Sequence, residues 1–256
     1  MQIKKMIILM LLIAANISLI NAQTTHFGFG KYKNNKGEIL NYRILYPDYD
    51  TIRKYPLVIF LHGSGERGND NKAQLKWGVT NFATDKAMVL HPAFVIAPQC
   101  PKNSTWANVD NYLNGNPVKL KATPSKPMEL LIDLIHQFIK NNRVDINRIY
   151  ITGLSMGGYG TYDALERYPK LFAAGVPVCG AGDTSKVKLI THIPIWIFHG
   201  NEDAAVNPKY DVNMYQALLK AGANPGFTMY PGVGHFSWLA AYSDPMMMAW
   251  LFKQHK

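Results

Sequence analysis

The segment Gly153-Leu154-Ser155-Met156-Gly157 constrains the fold of this chain more than any other. Before it runs Arg148-Ile149-Tyr150-Ile151-Thr152, a β-branched and aromatic stretch of the kind that forms a strand buried on both faces. After it, Gly158-Tyr159-Gly160-Thr161-Tyr162-Asp163-Ala164-Leu165 can begin a helix. Strand, sharp turn and helix are the context of the Gly-x-Ser-x-Gly nucleophile elbow. Such a turn strains the serine backbone and lifts its hydroxyl over the sheet edge. Glycines two residues before and after the serine let strand and helix pass closely. The helix N-terminus favours negative charge beside the serine. Without these flanks the pentapeptide would describe an ordinary glycine-rich turn.

The rest of the chain supplies a sheet around that turn. Two early strands are predicted over 27–33 and 39–46, joined by Asn34-Asn35-Lys36-Gly37. Further strands are predicted at 57–61, 94–97, 173–179, 195–198 and 227–230, with Pro177 near a strand end. Helices are predicted over 72–83, 128–141 and 210–220. Leu131, Leu134, Ile135 and Phe138 form one face of the second. A last helix should start with Asp244 as its cap and Pro245 in its first position. Residues 98–127 are rich in Pro, Asn and Lys and read as a long surface loop, a class that is often functional. Strands alternating with helices imply an α/β fold, a mainly parallel sheet covered on both faces. Only residues 180–194 separate the strand after the elbow from the next, too few for a large helical cap.

Residues 1–22 resemble a secretory signal. Lys4 and Lys5 form a basic start, residues 6–15 are almost purely apolar, and Ala22 offers a small residue before Gln23. An uncleaved membrane anchor is the alternative. The expectation is a signal peptide over 1–22 and one catalytic domain over 23–256, secreted or periplasmic, with no stable membrane insertion after cleavage. The 22 residues carry two lysines and no acids, so the other 234 keep 25 basic against 17 acidic side chains, a net +8. That excess is spread along the chain and reads as solvated surface. No nucleic-acid-binding motif accompanies it, so no nucleic-acid partner is expected. Cys100 and Cys179 each close a different predicted strand, and the implied fold would separate those strands by about three spacings of ~4.8 Å. A disulfide needs Cα atoms within roughly 7 Å, so two free, buried thiols are expected.

A serine hydroxyl needs a base beside it, and the base needs an orienting acid. Downstream of Ser155 the histidines are His192, His199, His235 and His255. His235 ends the turn Pro231-Gly232-Val233-Gly234-His235 just past the last predicted strand, where a base can swing onto the serine. His255 sits at the terminus, and His199 closes a strand, where it shapes the turn after it. That turn, His199-Gly200-Asn201-Glu202-Asp203, offers two carboxylates. Asp203 lies further past the strand end and precedes the apolar pair Ala205-Val206; Glu202 remains the alternative on spacing. Oxyanion donors are expected from the backbone N–H of Met156 and of Ser64, in the loop His62-Gly63-Ser64-Gly65-Glu66-Arg67-Gly68. Trp106 and Trp238 are candidates to line a substrate cleft, with loop-holding tryptophans as the alternative. No metal-ligand spacing or phosphate-binding loop occurs, and this chemistry requires no cofactor.

Leu61-His62-Gly63-Ser64-Gly65-Glu66-Arg67-Gly68-Asn69-Asp70, Pro98-Gln99-Cys100-Pro101, Val178-Cys179-Gly180 and Gly234-His235-Phe236-Ser237-Trp238 carry a closer likeness. In these the chain resembles secreted and periplasmic α/β-hydrolase esterases of the phospholipase/carboxylesterase and polyhydroxybutyrate-depolymerase-like group, which includes feruloyl and acetyl-xylan esterases. The resemblance implies an α/β-hydrolase fold without a large cap. It aligns the nucleophile with Ser155 and the base with His235. It places the acid third after the glycine of the His-Gly pair, which is Asp203. The dienelactone-hydrolase branch uses cysteine at the elbow, and the serine argues against it. The resulting expectation is a secreted serine esterase acting on small-molecule or polysaccharide-linked esters, with acyl or feruloyl esters of plant polysaccharides as candidates. A prolyl-oligopeptidase-type serine peptidase is the alternative, although such enzymes usually carry a large extra domain. A non-catalytic module on a hydrolase scaffold is the third reading.

Overall fold

Leu57, Ile59 and Leu61 turn one way and Val58 and Phe60 the other, and all five are fully buried. A strand with both faces apolar can lie only inside a sheet covered on both sides. The computed structural model describes residues 23–47, 52–110, 112 and 117–256. The expected signal segment, 1–22, lies outside the described residues.

The described residues hold ten strands: β1 (Phe27–Lys33), β2 (Ile39–Leu45), β3 (Tyr55–Leu61), β4 (Phe94–Pro98), β5 (Val109–Asp110), β6 (Lys119–Leu120), β7 (Val144–Leu154), β8 (Ala174–Val178), β9 (Trp196–Gly200) and β10 (Gly226–Tyr230). Eight form one sheet in the order β1-β2-β4-β3-β7-β8-β9-β10. β1–β2 and β2–β4 pair antiparallel, and every later neighbour is parallel. β5 and β6 make a small hairpin inside the long loop. The first hairpin turns at Gly37, whose φ of 80° suits glycine, and the Asn34 side chain accepts from the Lys36 and Glu38 N–H groups.

Among the described residues after β1, the helices are α1 (Asp85–Leu90), α2 (Lys126–Asn141), α3 (Met156–Arg167), α4 (Lys209–Lys220), α5 (Trp238–Ser243) and α6 (Pro245–Lys253). Ser125 caps α2 by accepting from the Met128 N–H at 3.2 Å, with Pro127 in the first turn. Asp244 caps α6 by accepting from Met246 at 2.8 Å, with Pro245 in the first turn. Leu131, Leu134, Ile135 and Phe138 of α2 bury against one sheet face with Met214 and Leu218 of α4. Trp238, Tyr242, Met247 and Leu251 of α5 and α6 cover the other face with Val79 and Phe82. Among the described residues, no helix is long and apolar enough to cross a membrane.

The helix predicted over 72–83 is instead two 3₁₀ turns, Ala73–Leu75 and Val79–Ala83. Gly78 between them has φ 74°, and a Cβ there would lie 2.5 Å from Tyr242 Cδ2. The left-handed glycine ends the helical run so that Tyr242 can pack against the backbone. The β8–β9 link holds only the 3₁₀ turn Thr184–Leu189. Cys100 follows β4 and Cys179 follows β8, with β3 and β7 between them in the sheet, and both thiols are free and buried. Burial pushes the Cys100 thiol up to about 12 and raises Cys179 as well, so neither thiolate forms at neutral pH.

Candidate active site

Because β3, β7, β8, β9 and β10 are parallel, their C-terminal ends share one edge of the sheet, and the loops leaving them meet there. Ser155 leaves β7 with φ 54° and ψ −117°, a conformation that costs a non-glycine residue about 1–3 kcal/mol. Its surroundings enforce it. The Ser155 N–H donates to the Val178 carbonyl at 2.9 Å, and the Tyr159 N–H donates to the Ser155 carbonyl at 3.1 Å. A Cβ on Gly157 would sit 2.0 Å from the Leu61 carbonyl oxygen, and one on Gly158 would sit 2.5 Å from that of Val178. The elbow is thus wedged between the ends of β3 and β8, and only glycine fits the wedge.

His235 arrives from the turn after β10. That turn is zipped to the loop after β9. Asn201 N–H donates to Tyr230 O at 3.1 Å, Glu202 N–H to Val233 O at 3.0 Å, and Gly232 N–H to Asn201 Oδ1 at 2.7 Å. The zipper brings Asp203 Oδ2 within 2.7 Å of His235 Nδ1, and His235 Nε2 within 3.0 Å of Ser155 Oγ. A carboxylate cannot donate, so Nδ1 carries the proton and Nε2 is left to accept from the serine hydroxyl. The Asp203 side chain is 0% exposed and that of His235 is 22% exposed. Asp203 Oδ1 accepts from the Ala205 and Val206 N–H groups at 2.8 and 2.9 Å. Burial works against its charge, yet the hydrogen bonds from His199, His235 and the Val206 N–H hold the carboxyl well below the usual range. Glu202 contributes its backbone to the zipper and lies exposed on the turn.

Met156 opens α3, so its N–H has no intrahelical acceptor. Ser64 starts the 3₁₀ turn after β3 and is exposed. This loop is built with care. The Cys100 N–H donates to His62 Nε2 at 2.9 Å, so the ring proton is on Nδ1, which donates to the Gly63 carbonyl at 2.6 Å. Burial lowers the His62 pKa to about 4 and keeps it neutral. Arg67 Nε donates to Met156 Sδ at 3.2 Å, tying the loop to the elbow.

Trp106 does not line a cleft. It is 0% exposed, and its Nε1 donates to the His62 carbonyl at 3.1 Å. It packs where Gly160 of α3 leaves no side chain, 2.4 Å from the place of the missing Cβ. Trp238 is 5% exposed and meets His235 edge-on at 5.1 Å, so it backs the imidazole from the core. Phe236 and Trp77 complete a three-ring group with it, at 4.7 and 6.3 Å, and Phe236 is 54% exposed. Neither of these two was singled out from sequence, although Phe236 directly follows His235. The arrangement can take a proton from a serine hydroxyl and deliver it to a leaving group on the same side.

A family described as Phospholipase/Carboxylesterase matches residues 51–247. Acyl-protein thioesterase 1 homolog 2 of Dictyostelium discoideum is 30% identical over 194 residues, which is 70% of this chain and 85% of that protein. The bifunctional acetylxylan esterase/xylanase XynS20E of Neocallimastix patriciarum is 25% identical over 177 residues, 69% of this chain and 23% of that protein. Among solved structures, a thermostable esterase superposes with a TM-score of 0.84 at 40% identity, covering 91% of this chain. The chain spans 64% of that protein's length. A ferulic acid esterase superposes with a TM-score of 0.67 at 17% identity, over 89% of this chain and 98% of its own, and shares the fold. The fold is that of the α/β-hydrolases, with no large cap among the described residues.

Proposed function

This chain belongs to the phospholipase/carboxylesterase family, and we propose that it is a serine esterase working through an acyl-enzyme intermediate on short or polymer-borne carboxylic esters. The observation that carries this reading is the unbroken chain from Ser155 Oγ through His235 to Asp203, at 3.0 and 2.7 Å, on a strained elbow. Ser155 Oγ attacks the ester carbonyl carbon while His235 Nε2 takes the hydroxyl proton. The carbonyl π-electron pair moves onto oxygen, where the Met156 and Ser64 N–H groups receive it. Collapse expels the alcohol, which leaves with the proton from His235. Water then repeats the cycle on the acyl-serine, with His235 again as base, and frees the acid. Asp203 holds the imidazole in the tautomer that both halves need.

What lies near the serine supports small or polymer-borne substrates. The short β8–β9 link leaves the edge open, and Phe236 beside His235 presents an exposed ring to a phenolic acyl group or a sugar. The likeness to an acetylxylan esterase supports polysaccharide-linked esters as a substrate class. The test is kcat/KM on p-nitrophenyl esters of increasing acyl length, methyl ferulate, acetylated xylan and a proline-containing peptide anilide. Short acyl esters, with methyl ferulate or acetylated xylan, should lead, and long acyl esters should trail. Faster release of the anilide than of any ester would assign a peptidase instead.

Export is part of the same proposal. The basic start, apolar run and Ala22 support cleavage before Gln23. N-terminal sequencing of protein recovered from its native compartment should begin near Gln23; a chain that still begins at Met1 would remove the signal-peptide reading.

A further inference from the structure

His199 lies near the end of β9 with its side chain wholly buried, one residue layer behind the catalytic acid. Each of its ring nitrogens meets only acceptors. Nε2 lies 3.0 Å from the Val206 carbonyl oxygen and 3.2 Å from Asp203 Oδ2. Nδ1 lies 2.7 Å from Asp211 Oδ2. Asp211 is already supplied with donors, the Gly180 N–H at 3.1 Å and the Tyr162 hydroxyl at 2.6 Å. A neutral imidazole would leave one nitrogen lone pair facing a carbonyl or a carboxylate oxygen, which repel it. With both carboxyls acting as acceptors, only the doubly protonated ring satisfies both sides.

We infer that His199 is a buried imidazolium, clamped between Asp203 and Asp211, that positions the acid of the catalytic group. The inference rests on the reading of Ser155, His235 and Asp203 as that group. Burial opposes the charge on His199, but the hydrogen bonds to Asp203 and Asp211 outweigh it and raise its pKa to about 10. The other titratable groups packed around this cluster are the Tyr162 and Tyr159 phenols of α3, the Cys179 thiol after β8 and His235 after β10. Burial pushes the two phenols and the thiol upward, so they stay neutral. The phenols and the thiol therefore bring no charge to the cluster.

Two consequences follow. First, the His199 ring pins both ends of the acid loop, Asp203 through its carboxylate and Val206 through its carbonyl, so the carboxylate keeps its aim at His235 Nδ1. Second, it stands between two carboxyl groups that would otherwise meet as like charges in one buried site. The cation sits between the two carboxyl groups and leaves Asp203 to face the imidazolium that forms on His235. His199 touches no substrate, so it is a positioning residue.

His199→Gln keeps a donor but loses the charge. It should lower kcat by about 10- to 100-fold, the range for losing a charge-assisted buried hydrogen bond, and leave KM within about twofold. The acid limb of its pH–rate profile should move upward by about half a unit to one unit, because the surroundings of His235 become more negative. An unchanged kcat and an unmoved limb would overturn the inference. A second measurement needs no variant. Among the eight histidines, nitrogen-15 spectra of the labelled wild-type protein at about pH 8 should show one ring with both nitrogens protonated and slowly exchanging. If no ring is doubly protonated while Ser155 still reacts with a fluorophosphonate, this inference fails alone. If Ser155 does not react, the catalytic reading fails, whatever the state of His199.

Discussion

Ser155→Ala and His235→Ala will each lower turnover by on the order of 10⁴- to 10⁶-fold, and the double variant will be little worse than either single one. The two side chains meet at 3.0 Å and act on one proton, so removing either removes the shared step. Residual hydrolysis should come from oxyanion donors and substrate binding alone. Asp203→Asn belongs to the same unit. An amide nitrogen at Oδ2 would face the proton on His235 Nδ1, and the ring would be driven to the wrong tautomer; the expected loss is about 10⁴-fold in kcat. Glu202→Gln should keep most of its activity, because its side chain lies exposed on the turn. A fluorophosphonate probe should label wild-type protein at Ser155 and leave Ser155→Ala unlabelled. Label on another serine, or a crippled Glu202→Gln, would reassign the site.

Gly157→Ala should be the most damaging single-atom addition to the fold. Its Cβ would stand 2.0 Å from the Leu61 carbonyl oxygen, 2.6 Å from the Leu61 carbonyl carbon and 2.9 Å from the His62 carbonyl oxygen. All three are backbone atoms, so no side-chain rotation relieves the overlap. Either the end of β3 separates from α3, or the elbow turn opens. Each route breaks the close approach that places Ser155 beside the end of β3. The expected cost exceeds about 4 kcal/mol, in the range of the most severe point mutations. Gly65→Ala is the control, since a Cβ there meets nothing within 4 Å and should change stability by less than about 0.5 kcal/mol. Thermal melting and soluble yield compare the two. A Gly157→Ala protein that melts with the wild type would show that the wedge yields.

Legibility along the chain tracked how local each signal is. The elbow was readable because its flanking strand and helix lie within a dozen residues of Ser155. The Asp244-Pro245 helix start was readable for the same reason, since cap and first turn are neighbours in sequence. Residues 72–83 misled because their composition suits a helix, while the break at Gly78 exists to receive Tyr242, more than 160 positions away. Trp106 misled in the same way. A tryptophan in a polar loop suggests a cleft wall, but Gly160 and the His62 carbonyl draw it into the core. His199 was read as a residue that shapes its turn; Asp211 and Val206, its partners besides Asp203, arrive from the start of α4 and the loop before it.

By itself the sequence determined the alternation of strands and helices, the turn at Ser155, and the order in which a serine, an acid and a histidine leave successive strands. Those are properties of short windows, where periodicity, capping and glycine sterics act over a few residues. The tertiary structure alone decided that β4 lies between β2 and β3. It also decided which aromatic rings reach solvent, and that a second histidine and a second aspartate stand behind the first. Exposure and ionisation depend on what remote segments place against a side chain. Packing brings Asp211, Tyr162 and Gly180 to His199 across three elements of the fold, and no window of the chain contains them together.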